Sequence, residues 1–236
     1  MPKNRLVILS GPSCVGKTPL LRALAGQYPQ LRYGSVVLYT SRQPRSLEKD
    51  GVDFHFRDES FIRNLPPERY IVGRVRHIWQ ALDLRELKKT FKSQSLILLE
   101  LHPDLAEILT ANPQIQRLLA GYELITVFIA PLSTVEIQAL QQGMSDTSAQ
   151  DVVAAVMTPK LISRALQQGV TLSPDALEDI RIRSSHAYDE MRAGEKYDYT
   201  IVNHDGEDSL HWRFKPPIGE AGATLQRLKS ILIGEG

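Results

Sequence analysis

The chain has 236 residues, enough for one large domain or two small ones. Apolar residues are 42% and charged residues 23%, which excludes global disorder and allows a proper core. The 28 Lys and Arg against 27 Asp and Glu leave a net charge of +1, so charge gives no reason to expect nucleic acid or an acidic membrane as a partner.

In chain order, Arg5 to Ser10 is a short apolar run closed by a Gly-Pro turn, read as a buried strand. Its stretch Leu6 to Leu9 is too short for a signal h-region. Leu20, Leu21 and Leu24 recur at helical spacing, so a helix follows. Val36 to Tyr39 reads as a second strand, and residues 40 to 58 as a polar functional loop or small insert. Leu82, Leu84 and Leu87 predict a helix. Ser95 to Leu101 and Leu124 to Ala130 are continuous apolar runs, expected to be covered parallel strands. From Pro131 to Arg192 the pattern is helical with charges. Ser133 with Glu136 predicts a capping box, and Ser173-Pro174 opens a further helix. Tyr197 to Val202 is a final strand and Ala221 to Ile233 a final helix. The alternation predicts an α/β fold with a parallel sheet, carrying polar inserts at about 40–90 and 136–192. There is no internal repeat and no low-complexity tract. No apolar run approaches the roughly 18 residues of a membrane span. The single cysteine, Cys14, cannot form an internal disulfide, so a reducing, cytoplasmic compartment is expected.

Gly11-Pro12-Ser13-Cys14-Val15-Gly16-Lys17-Thr18 matches G-x-x-x-x-G-K-[ST], between a predicted strand and a predicted helix. The glycines let successive backbone N–H groups curl toward phosphate oxygens, and the helix N-terminus adds partial positive charge. Gly11, Ser13, Cys14, Val15, Gly16, Lys17 and Thr18 are therefore expected to bind ATP. Lys17 would reach the β- and γ-phosphates, and Thr18 would hold Mg²⁺. Cys14 stands where Gly is more permissive, so an ordinary φ is expected there. Its thiol is either a tolerated small residue or a redox sensor. Pro19 suits the first helical turn but lacks an N–H, at a cost of about 1 kcal/mol in phosphate binding.

Arg42 and Arg45 flank the rigid Pro44, and guanidinium forks suit phosphate. A solvated basic loop is the bland alternative. Beside a phosphate loop, the pair points to a second phosphate-bearing substrate, as phosphoryl transfer requires.

These segments together resemble guanylate kinases. The likeness is carried by Leu6 to Leu20, by Thr40-Ser41-Arg42-Gln43-Pro44-Arg45 with Glu48, by Asp50-Gly51-Val52-Asp53-Phe54-His55-Phe56, and by Tyr197 to Asp205. It runs through most of the chain, with an enlarged middle. The resemblance implies a P-loop NTPase core (about 1–39, 95–135 and 193–236), an inserted domain for the nucleoside monophosphate (about 40–94) and a helical lid (about 136–192). It implies the reaction GMP + ATP → GDP + ADP. It gives Arg42, Arg45 and Glu48 to the GMP phosphate, with Phe54 where the family usually has a Tyr. It puts Asn203 near the adenine, Glu100 near Mg²⁺, and His102 at an Asp that contacts guanine. It also implies lid arginines for catalysis. Arg183 matches the last of these, and Arg164 is a second candidate; for Arg164 and Arg181 a solvated helix face is the alternative.

The sequence departs from the family pattern where guanine is read. Val72 stands at a usual Glu, and the first lid helix, Glu136 to Gln142, lacks arginines. Gln80, Asp83 and Asp104 are possible substitutes for the lost base contacts. Residues 143–175 lengthen the lid. Two rival readings follow: a non-catalytic binding module of this fold, and a same-fold kinase for another phosphorylated acceptor. The six histidines show no metal spacing. Trp79 and Trp212 are expected to pack, and His204 to Asp208 to be a solvated loop.

Overall fold

The computed structural model describes residues 4–45, 48–144 and 146–235. Two compact units emerge. One holds the N-terminal stretch through Leu9 with Arg32–Ile125; the other holds Ser10–Leu31 with Thr126 to the C-terminus.

In the first unit, β1 (Asn4–Ser10) pairs in parallel with β6 (Leu96–Glu100), from Arg5 opposite Leu96 to Leu9 opposite Glu100. Both were predicted from their apolar runs, and Leu6, Val7, Ile8 and Leu9 are fully buried. A second sheet has the order β3-β2-β5-β4, from β2 (Tyr39–Thr40), β3 (His55–Phe56), β4 (Tyr70–Val75) and β5 (Ile78–Asp83). Short helices α2 (Glu59–Arg63), α4 (Pro103–Ala111) and α5 (Pro113–Leu119) complete the unit with α3 (Leu84–Ser93). One core joins Leu6, Ile8, Ile71, Leu82, Leu87, Leu99, Leu105 and Leu109.

Two expectations change here. The strand expected over Val36–Tyr39 is confined to Tyr39–Thr40. Leu38 is buried by side-chain packing while most of that segment stays outside a ladder. Leu82 belongs to β5 and not to a helix with Leu84 and Leu87. Asp83 ends the strand and caps α3, its carboxylate accepting from the Arg85 amide at 2.8 Å.

In the second unit, β7 (Tyr122–Ala130), which begins in the first unit, pairs in parallel with β8 (Tyr199–Val202). Helix α1 (Lys17–Gln27) follows β1, and α9 (Gly219–Ile233) closes the chain. Between β7 and β8 come α6 (Thr134–Gly143), α7 (Ala149–Gln167) and α8 (Pro174–Gly194). Ser133 and Glu136 form the predicted capping box on α6, and Ser173 caps α8. Gly194 is required by packing: a Cβ there would lie 2.5 Å from the Phe128 ring. No helix among the described residues is long and apolar enough to cross a membrane.

Candidate active site

The turn from β1 into α1 is the phosphate-loop sequence. Three of its residues have positive φ: Gly11 at 146°, Cys14 at 70° and Gly16 at 91°. Glycine is needed at two of them for space as well. A Cβ on Gly11 would lie 2.4 Å from the Ile129 carbonyl oxygen, and one on Gly16 would lie 2.8 Å from Asn203 Nδ2. Alternating hand in successive residues is what turns backbone amides toward one point, making an anion nest. Lys17 Nζ donates to the carbonyls of Gly11 (2.7 Å) and Pro12 (2.8 Å), which holds its ammonium over the loop. Ser13 and Thr18 are half-buried, and Val15 is buried. Pro19 is the third residue of α1, as expected.

Cys14 corrects the expectation of an ordinary φ. Its left-handed backbone is held by two contacts: its carbonyl accepts from the Glu207 amide at 2.9 Å, and its thiol donates to the Lys160 carbonyl at 3.3 Å. The side chain is 3% exposed. Burial pushes the thiol up to about 11; the positive charge of Arg164 opposes this without cancelling it. A protonated, buried thiol is inert, as in the tolerated-residue reading.

The segment after β8 is not the solvated loop expected. Asn203 is fully buried, its Nδ2 donating to the Val15 carbonyl at 2.9 Å. That bond ties its side chain to the phosphate loop. Asp205 accepts from Ser209 Oγ, from the Ala221 amide at the start of α9, and bonds His211 Nδ1. Trp212 Nε1 donates to the Gly206 carbonyl at 2.7 Å, so Trp212 packs here as predicted.

Arg164 on α7 departs from the solvated-face reading. It is 8% exposed, and its Nη1 lies 2.9 Å from Glu207 Oε2. It is not on a solvated face. Arg181 is the solvated one, paired with Glu178. Arg183 is mostly buried against Asp179, at 3.0 Å and 2.7 Å.

In the first unit, the predicted acceptor residues converge. Arg42 meets Glu48 with both terminal nitrogens, at 2.5 and 2.6 Å. Glu48 also accepts from the Arg45 amide at 2.9 Å and lies 3.5 Å from the Arg45 guanidinium. The Arg42 guanidinium rides over the Phe54 ring at 4.9 Å and the Phe56 ring at 5.5 Å. Phe54 is thus a platform for the arginine. Phe56 was named in the resemblance without a role; its position two residues after Phe54 was the available signal. Burial raises the Glu48 carboxyl, but hydrogen bonds from Arg42 and Arg45 outweigh it and hold the group below its usual value.

Of the possible substitute base readers, Asp83 has other partners. Asp83 is 3% exposed and takes Arg69 at 2.6 Å besides capping α3. His102 caps α4, its Nδ1 accepting from the Asp104 amide at 3.3 Å. Val72 sits in β4 opposite Ala81, and Gln80 opposite Gly73. Glu100 ends β6 and is exposed. No group of three or more His, Cys, Asp or Glu gathers as a metal site among the described residues.

A family model described as guanylate kinase matches residues 3–166. The chain belongs to the guanylate kinase family. Guanylate kinase of Desulfotalea psychrophila is 27% identical over 209 residues, covering 87% of this chain and 84% of that protein. Matches to guanylate kinases of Mycobacterium bovis and Mycobacterium tuberculosis are 45% identical but span 62 residues, 26% of this chain and 29% of each relative. A crystal structure of guanylate kinase from Anaplasma phagocytophilum superposes with a TM-score of 0.56 at 19% identity, covering 99% of this chain and 86% of that one. That likeness carries the guanylate kinase fold, a P-loop α/β architecture.

Proposed function

We propose that the chain transfers the γ-phosphoryl group of ATP to GMP, giving ADP and GDP. Two phosphate grips support this reading, one in each unit. The loop Gly11–Thr18 suits the donor triphosphate. Arg42 and Arg45, oriented by Glu48, suit the phosphate of the acceptor. The second grip is the observation that carries the proposal, because a phosphate loop alone would serve any NTPase.

The acceptor phosphate is already ionised, so no general base is needed. Catalysis is then positioning and charge stabilisation. Lys17 neutralises charge on the transferring group. Arg183 is the lid arginine for the same task, delivered from its pair with Asp179. Arg42, held over the Phe54 and Phe56 rings, fixes the acceptor phosphate.

Mg²⁺ belongs to this reading: the Thr18 hydroxyl would hold it, and Glu100 is the acidic residue that the same reading assigns to it. Both offer hard oxygens, and few protein ligands are the rule where phosphates and water complete the shell. Such an ion would supply charge neutralisation to the triphosphate. A cytoplasmic location is part of the same proposal, resting on the nucleotide substrates and the single buried thiol.

A second reading keeps the chemistry and changes the acceptor. Val72 offers no hydrogen bond to a base edge, and Asp83 is committed to Arg69 and α3. One assay separates the two. Protein with Mg·ATP is given GMP, dGMP, AMP, CMP or UMP, and ADP is measured. GDP formation that vanishes in Lys17→Ala and falls steeply in Arg42→Ala supports the first reading. Turnover of another acceptor without GMP activity supports the second. Tight ATP binding with no acceptor-dependent ADP would sink both in favour of a binding module.

A further inference from the structure

Helix α7 touches the phosphate loop at its one strained non-glycine residue, and does so from two sides. From the side-chain direction, the Lys160 carbonyl accepts the Cys14 thiol at 3.3 Å. From the backbone direction, Arg164 pairs with Glu207 at 2.9 Å, and the Glu207 amide donates to the Cys14 carbonyl at 2.9 Å. Two further contacts pin the same helix to the same segment: Lys160 Nζ bonds the His204 carbonyl at 2.5 Å, and Gln167 Nε2 the Asp208 carbonyl at 3.1 Å. Cys14 has φ 70°, a conformation that L-residues rarely adopt without support from their surroundings.

We infer that Arg164 is a positioning residue for the phosphate loop, acting through Glu207 to hold Cys14 in its left-handed conformation. An arginine 8% exposed and closed against a carboxylate is badly placed to reach a transferring phosphoryl group, and well placed to fix the segment behind the loop. Arginine suits the task because its planar fork is pre-organised for a carboxylate. The support matters for binding because the amides of a phosphate loop stabilise anions only while their directions are fixed. Glycine at position 14 would adopt the same φ without support. Dependence on Arg164 is therefore tied to the residue at position 14, which gives the inference a signature that general destabilisation lacks.

The inference rests on the proposed use of the loop for ATP. The experiment measures Mg·ATP affinity by calorimetry, and kcat and KM with the best acceptor, for the native chain, R164A, R164K, E207Q, C14G and C14G/R164A. R164A is expected to weaken Mg·ATP about tenfold and raise the KM for ATP to match, with kcat and the acceptor KM within about threefold. R164K should recover part of the loss. In the C14G background the same Arg164→Ala change should cost less than about threefold. E207Q keeps the volume and carries the same expectation should R164A fail to fold. An undiminished tenfold loss in C14G would overturn the inference. So would a fall in kcat at unchanged ATP affinity, which would place Arg164 at the reacting phosphate. A native chain that binds no Mg·ATP would sink the proposed function together with this inference, whereas failure of the inference alone leaves native binding intact.

Discussion

Asn203 Nδ2 donates to the Val15 carbonyl at 2.9 Å across 188 residues of chain. The bond ties the segment after β8 to the turn before α1, and both groups are shielded from water. Removing the amide leaves the Val15 carbonyl buried without that donor. The expected cost of Asn203→Ala is about 1–3 kcal/mol, the penalty for an unmade buried hydrogen bond. In a chain of this size that lowers Tm by roughly 2–4 °C per kcal/mol. A thermal melt of the variant checks it, and an unchanged Tm would show that the bond contributes nothing. Mg·ATP affinity should fall as well, because the carbonyl lies within the phosphate loop.

Glu48 orients two arginines at once. It bridges Arg42 at 2.5 and 2.6 Å and takes the Arg45 amide at 2.9 Å. Glu48→Gln keeps the size but loses the charge, and one oxygen becomes a donor facing a donor. The expected result is a KM for the acceptor nucleotide raised roughly tenfold, in line with 1.5–3 kcal/mol for charged hydrogen bonds. The KM for ATP should stay within a factor of two, since the phosphate loop is elsewhere in the chain. Steady-state kinetics with each substrate varied in turn separates the two. Equal effects on both would mean that Glu48 supports the fold at large.

The legible parts of this molecule were those fixed by local rules. The apolar runs of β1, β6 and β7 read as covered strands because parallel strands bury both faces. Ser133 and Glu136 announced α6, since a capping box is closed within four residues. The glycine and lysine spacing marked the turn between β1 and α1, and the arginines around Pro44 marked the pair that meets Glu48. What escaped depends on distant partners. Cys14 takes a positive φ because Glu207 and Lys160 hold it there, and neither is near in sequence. Arg164 is buried only because Glu207 meets it. The acidic stretch His204 to Asp208 looked solvated, since nothing local says that its amides and carboxylates are used in bracing. The leucine pattern across Leu82 and Leu84 hid a strand end, because Asp83 serves as both the last strand residue and a cap.

Asp205 ties acid sensitivity to one place. Burial raises its carboxyl, but bonds from His211, the Ala221 amide and Ser209 outweigh this and leave it below its ordinary value. A carboxyl with a depressed folded pKa contributes stability that is fully present above the unfolded value, about 3.9, and is lost as pH falls through the folded value. Asp205→Asn should therefore be less stable than the native chain at pH 7. The gap should persist to about pH 4 and close below it. Denaturant titrations at pH 7, 5, 4 and 3 measure the gap directly. A gap at pH 3 as large as that at pH 7 would show that the loss is one of packing and not of charge.

On the proposed reading, with β4 facing the acceptor base, Val72 limits how sharply that base is chosen. It lies in β4 opposite Ala81, and neither side chain can donate or accept a hydrogen bond. Sites built to hydrogen-bond a substrate reject analogues by about 10⁴–10⁵, whereas apolar pockets manage only about 10–200. The ratio of kcat/KM for GMP over AMP should accordingly fall well short of 10⁴. Val72→Glu supplies a carboxylate where the family usually has one. If β4 faces the base, that change should raise the GMP-to-AMP ratio at least tenfold, because guanine offers two donors to a carboxylate and adenine offers one beside an acceptor. Arg42 should be needed equally for both nucleotides, since the proposed function gives it the phosphate they share. Competition assays with the native chain, Val72→Glu and Arg42→Ala test all three statements. A ratio unmoved by Val72→Glu, with the variant still folded, would place the base away from β4 and leave its recognition to other residues of the first unit.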